Sequence, residues 1–371
     1  MANNDCVTLV PFVHQVGGHT AMMKYDEATV CKPVQPAELQ FYKTLSPELA
    51  KFTPGFKGVV HVSIQEEDDG SMSLRAYPRT CRMHRQPTGS LPNPIVENEG
   101  RGSSTCNPKI HRSPKWKHPQ RLEGVDSEVV FADHSGSKMT QVNPWGHHLY
   151  QRQLDRMHRD NGTGKLHEFI LLENLTWQFQ SPCILDVKLG TRTYHKDHSE
   201  AKRKLHIDRD AATTTATLGL RICGMQVYQP NRGIYKCRNK YDGRRLSKDG
   251  LQRALSDYLC DNERVRTELI PSFVEKLNTL IQVISTVKTH TFLSSSLLLI
   301  YEGDQTVEPS PKGCTRDVSA AAVDLRIIDF GNTEQDSESF DSDQECNRGC
   351  VYGLQNLVRI MGNIEGANSS S

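Results

Sequence analysis

The stretch from about Pro78 to Trp145 limits most strongly how this chain can fold, because hydrophobic periodicity stops there and resumes afterwards. Pro, Gly, Ser, Asn and basic residues dominate it, and between Pro78 and Arg121 nine Lys or Arg stand against two Asp or Glu. Such a segment cannot bury enough apolar surface to offset its ordering entropy. It reads as a flexible basic insert over residues 78–144 between a first unit, 1–77, and a second, 145–371. A plain linker is the simpler role. Docking of protein partners through the insert has only its charge to support it.

Before the insert the pattern is rich in strands. Val7–Val13 and Thr29–Lys32 alternate as strands do, with Gly17-Gly18 as a tight turn between them. Pro36 to Leu45 carries proline in the first turn of a short helix, and Gly58–Ile64 is a further strand ending at the acidic turn Glu66–Gly70. After the insert, Phe169–Glu173 and Cys183–Lys188 read as buried strands. Cys223–Tyr228 and Ile234–Cys237 flank Pro230-Asn-Arg-Gly233 as a hairpin. Leu251, Ala254, Leu255, Tyr258 and Leu259 fall at helical spacing behind Ser247, a cap, and Val274, Leu277, Ile281 and Ile284 mark a second helix. Two strands, Ser296–Tyr301 and Leu325–Phe330, an acidic solvated loop over Glu334–Glu345 and an amphipathic helix over Val351–Ile364 complete the pattern. The expected class is α+β: a small β-rich lobe and a larger α+β lobe around a kinase-like cleft.

A formal net charge of +1 excludes global attraction to nucleic acid or membrane, so any charge that matters is local. No apolar run approaches the roughly 20 residues of a membrane span. The eleven cysteines form no C-x-x-C pair, which favours reduced thiols and a cytoplasmic or nuclear setting. The histidines around His111, His118, His134, His147 and His148 have the spacing of no standard metal site.

Four features carry chemistry. In Pro182-Cys-Ile-Leu-Asp186-Val-Lys188-Leu-Gly190, strand alternation sends Asp186 and Lys188 to one face. The lysine can neutralise a moving phosphoryl group, and Gly190 lets a substrate approach the backbone. A surface ion pair would produce the same peptide. The second feature is Ile327-Ile-Asp329-Phe330-Gly331, with an aspartate just beyond an apolar strand, where kinases hold magnesium on ATP. The third is Lys32 at a strand end with Glu38 on the following helix. The fourth is a basic cluster, Lys188, Arg192, Lys196, Lys202, Arg203, Lys204 and Arg209, interleaved with His195, His198 and His206. A second run, Lys236, Arg238, Lys240, Arg244 and Arg245, follows the hairpin. Two basic runs in a nearly neutral chain suggest a polyanionic acceptor.

Together these residues resemble the inositol polyphosphate kinase family. Its Pro-x-x-x-Asp-x-Lys-x-Gly signature is matched at Pro182, Asp186, Lys188 and Gly190. Its Ser-Ser-Leu-Leu element is matched at Ser295-Ser296-Leu297-Leu298, and its Ile-Asp-Phe element at Ile328-Asp329-Phe330. Phe12-Val-His-Gln-Val-Gly-Gly-His19, Val30-Cys-Lys-Pro33, Cys223-Gly-Met-Gln-Val-Tyr-Gln229 and Cys237-Arg-Asn-Lys-Tyr241 resemble its inositol hexakisphosphate kinase branch. The resemblance implies an ATP- and Mg2+-dependent kinase acting on inositol phosphates, with position 5 of the ring as the target. It implies that Lys32 contacts the ATP phosphates and Glu38 holds Lys32, while Glu173 and Leu175 form an adenine hinge. Asp186, Lys188 and Asp329 would be catalytic, Asp186 serving acceptor or ribose, while Ser296 and Asp329 would serve the ATP phosphates and the metal, with Asp329 the metal ligand. Lys188, Arg192, Lys202, Arg203, Lys204, Arg238 and Lys240 would grip the acceptor.

Three departures stand out: Gly331-Asn332 where the branch has Ala-His, closer to the trisphosphate kinase pattern, Cys350 where tyrosine is common, and the acidic tract before Arg348. A protein kinase would need a G-x-G-x-x-G loop, a His-Arg-Asp loop and an Ala-Pro-Glu segment, and the sequence has none. An inactive inositol phosphate-binding scaffold would be expected to lose Lys32, Asp186, Lys188 or Asp329, all of which are present. A nucleic-acid module would interleave aromatics in its basic runs.

Overall fold

The computed structural model describes residues 6–78, 127–129, 143–161, 165–195, 197–305, 323–335 and 340–369. Most of the basic insert, apart from its two ends and one short strand, and Lys196 lie outside them.

Six antiparallel strands close into a barrel in the order β1-β2-β3-β7-β4-β5. They are β1 (Val7–Pro11), β2 (Met23–Asp26), β3 (Thr29–Pro33), β4 (Phe56–Glu66), β5 (Met72–Tyr77) and β7 (His167–Glu173). The turn at Gly17-Gly18 therefore leads into β2, a strand the sequence pattern did not reveal, before β3 begins. Two short helices follow β3, α1 (Pro36–Lys43) and α2 (Pro47–Ala50). Helix α3 (Pro144–Asn161) buries Leu149, Tyr150, Leu154 and Met157 in the barrel core with Val62, Leu74 and Phe169. Strand β7 pairs with both β3 and β4. The boundary expected at residue 144 is thus displaced. The chain completes its first β unit only at Glu173, because closing the barrel needs a strand from beyond the insert.

A second, six-stranded sheet runs in the order β13-β12-β8-β9-β10-β6. It comprises β6 (Ser127–Val129), β8 (Pro182–Leu189), β9 (Leu220–Gln229), β10 (Ile234–Arg238), β12 (Ser296–Glu302) and β13 (Val323–Ile328). Between β8 and β9 lie α4 (Glu200–Ala211) and α5 (Thr214–Leu218), and after β10 come α6 (Lys240–Arg245), α7 (Lys248–Tyr258) and α8 (Ile270–Thr286). Strands β11 (His290–Thr291) and β14 (Glu334–Gln335) form a small ribbon ahead of α9 (Phe340–Ser369). Of the acidic tract expected as a loop over Glu334–Glu345, Glu334–Gln335 form β14 and the residues from Phe340 on belong to α9, while 336–339 lie outside the described residues. The class is α+β, as expected.

Central strand β8 is buried along almost its whole length, which explains its near-continuous apolar run. Cys183, Leu185, Val187 and Leu189 join the core formed with Leu251, Phe273, Leu277 and Leu354 of the helices behind. Ile184, Asp186 and Lys188 occupy the alternate positions and face the other way. Among the described residues, no helix is long and apolar enough to cross a membrane.

Candidate active site

Three strands of the second sheet bring its polar row together. Cross-strand pairing sets Ser296 beside Lys188 and Lys188 beside Arg221. Asp186 lies opposite Gly224, and the absent side chain there has a use. A Cβ at Gly224 would lie 2.0 Å from Val16 O, and one at Gly17 would lie 2.2 Å from Asp186 Oδ2. These two glycines let the loop after β1 rest directly on the sheet, so residues 16–19 of the barrel face Asp186.

The barrel contributes Lys32. It is 5% exposed, and its ammonium lies 2.9 Å from Glu38 Oε1 and 3.1 Å from Asp329 Oδ1. Burial opposes the ammonium, but Asp329 and Glu38 outweigh it and hold Lys32 above the usual lysine range. The clamp is assembled by stacking. Phe330 is wholly buried and lies flat on Phe41 of α1, 3.8 Å between centroids, which fixes the residue before it against the helix bearing Glu38. Asp329 itself takes φ +63°, a left-handed conformation that aspartate tolerates better than most residues. Burial works against its charge as well, yet Lys32 and Lys188 keep it below the usual carboxylate range.

Asp186 differs. Burial pushes its carboxyl up to about 6 despite Lys188 nearby. Its Oδ1 finds no hydrogen-bond partner among the described residues. Lys188 donates to Ser294 O at 2.6 Å, and Ser294 also has a left-handed φ of +56°. Two strained residues thus flank the space between Asp329 and Lys188, as is common where function overrides backbone preference.

That space opens into a cavity. Besides Asp186, Asp329, Ser294 and Ser296 it is lined by Lys188, Arg209, Arg221, Lys240 and Arg244, with His19, Thr193, His206, Cys223 and Asn332. Among the described residues, five Lys or Arg therefore meet two carboxylates. Lys240 and Arg244 come from α6, which lies against β9 because a Cβ at Gly243 would sit 2.0 Å from Ile222 O. Lys240 Nζ is 4.7 Å from the Trp145 ring centre and 3.2 Å from His19 Nδ1. Burial and Arg244 pull it down to about 8. Burial, Lys240 and Lys188 together lower His19 to about 4. Burial and repulsion between neighbouring cations thus act in the same direction on both groups.

Of the acceptor contacts expected from sequence, Lys188 and Lys240 line this cavity. Arg238 does not, since it pairs with Asp257 at 2.5 Å and borders a separate surface pocket beside Arg253. Arg192 and Arg203 stack over Tyr194, and exposed Lys204 pairs with Asp208 at 3.2 Å. Lys202 is exposed on α4, on the same helical face as His206 and Arg209 but one turn beyond them. Leu175 packs against buried Val16, Ile184 and Ile300. Glu173 ends β7, and its carboxylate accepts from Gly55 N at 3.0 Å. Arg221 was missed, although a charged residue between Leu220 and Ile222 in a buried strand signals a polar site on that strand's other face.

A lysine held by two carboxylates beside a cavity of basic side chains is the equipment of a phosphotransferase that handles an anionic acceptor. The family model for inositol polyphosphate kinase matches residues 169–362. Inositol hexakisphosphate kinase 3 of Mus musculus is 36% identical, over 97% of this chain and 96% of the relative. Inositol hexakisphosphate kinase 1 of the same species is also 36% identical, over 99% and 96%. A crystal structure of the inositol phosphate multikinase of S. cerevisiae with ADP and Mn2+ shares 25% identity and a TM-score of 0.45, covering 53% of this chain and 84% of that one. The chain belongs to the inositol polyphosphate kinase family.

Proposed function

We propose that this chain transfers the γ-phosphoryl group of ATP to inositol hexakisphosphate, forming a diphosphoinositol pentakisphosphate. The observation that carries the reading is the cavity in which five basic side chains surround the approach to Lys188 and Asp329. Its cationic excess suits an acceptor denser in charge than one phosphate. The near full-length similarity to inositol hexakisphosphate kinases supports the same substrate.

In this reading the barrel is the small lobe of a kinase-like fold, and the second sheet with its helices is the large one. The adenine meets the backbone near Glu173 and Leu175, and Lys32, steadied by Glu38, meets the phosphates. Every ring oxygen of the hexakisphosphate is already esterified, so the nucleophile is a phosphate oxygen, anionic at neutral pH. No strong general base is required; the obstacle is repulsion between two polyanions. Lys188 neutralises the group in transit, while Arg209, Arg221, Lys240 and Arg244 offset the charge of the acceptor. Asp186 lies where the two substrates meet.

The residues also fit a divalent cation. Asp329 is an ionised, half-buried carboxylate, and the buried Asp186 Oδ1 lacks a partner. Asp329, with Asp186 near it, would hold Mg2+, a cation that takes its remaining oxygens from phosphate and water. Bound there, Mg2+ would neutralise charge on the ATP phosphates.

A ring-hydroxyl acceptor is the second reading, favoured by Asn332, which lines the cavity where the branch has histidine. Incubating the full chain with magnesium-ATP and inositol hexakisphosphate, and following phosphorus resonances, should reveal a diphosphate signal. Consumption of a hydroxyl-bearing inositol phosphate with no diphosphate from the hexakisphosphate would transfer the assignment to the second reading.

A further inference from the structure

Helix α4 presents His206 to the cavity in an unusual setting. The Thr193 hydroxyl lies 2.8 and 3.0 Å from the two carboxylate oxygens of buried Asp210, and the Thr193 N–H donates to Oδ2 at 2.7 Å. A carboxylate can only accept, so the hydroxyl proton is spent on Asp210. The same hydroxyl oxygen is 2.9 Å from His206 Nδ1, and having no proton left to give, it must accept one from that nitrogen. The tautomer is thereby fixed. Nδ1 carries the hydrogen, and Nε2 is left as the accepting nitrogen.

We infer that His206 is an acceptor-binding residue that arrives neutral and gains its charge with the ligand: a phosphate of the polyanion at Nε2 draws a proton onto the ring, and the Asp210–Thr193 relay stabilises the resulting imidazolium. The inference rests on the reading of the cavity as the acceptor site.

The surroundings explain why the charge waits for a ligand. On α4 itself, Arg209, Lys202 and Asp210 face the ring; from the loop after β8 come Thr193 and His198, with His195 and Asp197 beyond it. Burial and then Arg209 hold His206 below its usual range, and Asp210 opposes them. An anion among these cations reverses the balance. Because the bound form then has the higher pKa, affinity is greatest at low pH and falls as pH rises from the free value through the bound one.

The test compares the full-length chain with His206→Asn, which keeps the Thr193 contact without a titrating ring, and with His206→Lys, which carries a fixed charge. Acceptor KM and kcat are measured from about pH 6 to about pH 8.5, and proton uptake on hexakisphosphate binding is measured by calorimetry in buffers of different ionisation enthalpy. Over that range the wild-type KM should rise about three- to tenfold more than that of His206→Asn, one pKa unit being a factor of about ten. His206→Lys should show a low KM with the shallower slope, kcat should be little affected, and wild type should take up more protons than His206→Asn. Equal slopes and equal proton counts in wild type and His206→Asn overturn the inference, as does an effect confined to kcat. Failure of the wild-type chain to bind or phosphorylate hexakisphosphate would instead sink the functional reading.

Discussion

Replacing Lys32 by methionine separates what the buried lysine does for the fold from what it does for chemistry. Lys32 and Glu38 are 5% and 1% exposed, and Glu38 Oε2 already lacks a partner. In Lys32→Met the Glu38 carboxylate would keep only a long contact from Phe330 N, 3.5 Å away. Breaking a buried pair by removing one member costs about 3–5 kcal/mol, because the other charge is stranded. In a chain of 371 residues that lowers Tm by about 4–6 °C. Lys32→Met/Glu38→Gln should recover most of the lost Tm while remaining inactive. Thermal melts followed by calorimetry, paired with turnover assays, read both effects. A Lys32→Met chain that melts with wild type at neutral pH, or a double variant no more stable than the single, would refute the clamp described here.

Asp186 should show the opposite trade. Its carboxyl is raised to about 6 by burial, so the fold loses stability as pH climbs from the unfolded value to the folded one. Asp186→Asn should then stabilise the chain by up to about 3 kcal/mol at neutral pH while activity collapses, and melts at two pH values would show the lost slope. Lys240→Ala should raise acceptor KM about tenfold, the equivalent of one charge-assisted contact, whereas Arg238→Ala, engaged with Asp257, should leave it near wild type. Steady-state kinetics with varied hexakisphosphate would distinguish them, and an equal rise in both would refute the boundary drawn around the cavity. Gly224→Ala must displace the Val16 backbone, so kcat should fall about a hundredfold with the fold retained, as circular dichroism would confirm.

How much of this was legible in sequence depended on how local each signal is. The hairpin at Gly233, the cap at Ser247 and the alternation of Asp186 with Lys188 are decided within a few residues, and the structure shows them where the pattern placed them. Lys32 and Glu38 were readable because a strand end and the next helix are close in sequence. The barrel was not, since β7 slots between β3 and β4 from beyond a long insert, and β2 is too short to show a period. The acceptor side was half legible. Counting basic residues found the two runs, but not which members turn inward. Tyr194, Asp208 and Asp257 claim Arg203, Lys204 and Arg238, and those choices belong to tertiary packing.

The close approach of Gly224 to the Val16 main chain carries a mechanical consequence. Where main chain touches main chain, no rotamer can yield, so the junction between barrel and sheet behaves as a rivet rather than a spring. The lysine clamp and the strand bearing Asp186 keep a constant separation whatever occupies the acceptor side. Freedom to accommodate polyanions of different size is left to α4, which stands largely in solvent and is tied down by its final turn. Remodelling that helix alters which anion fits while the phosphoryl-transfer end stays as it was.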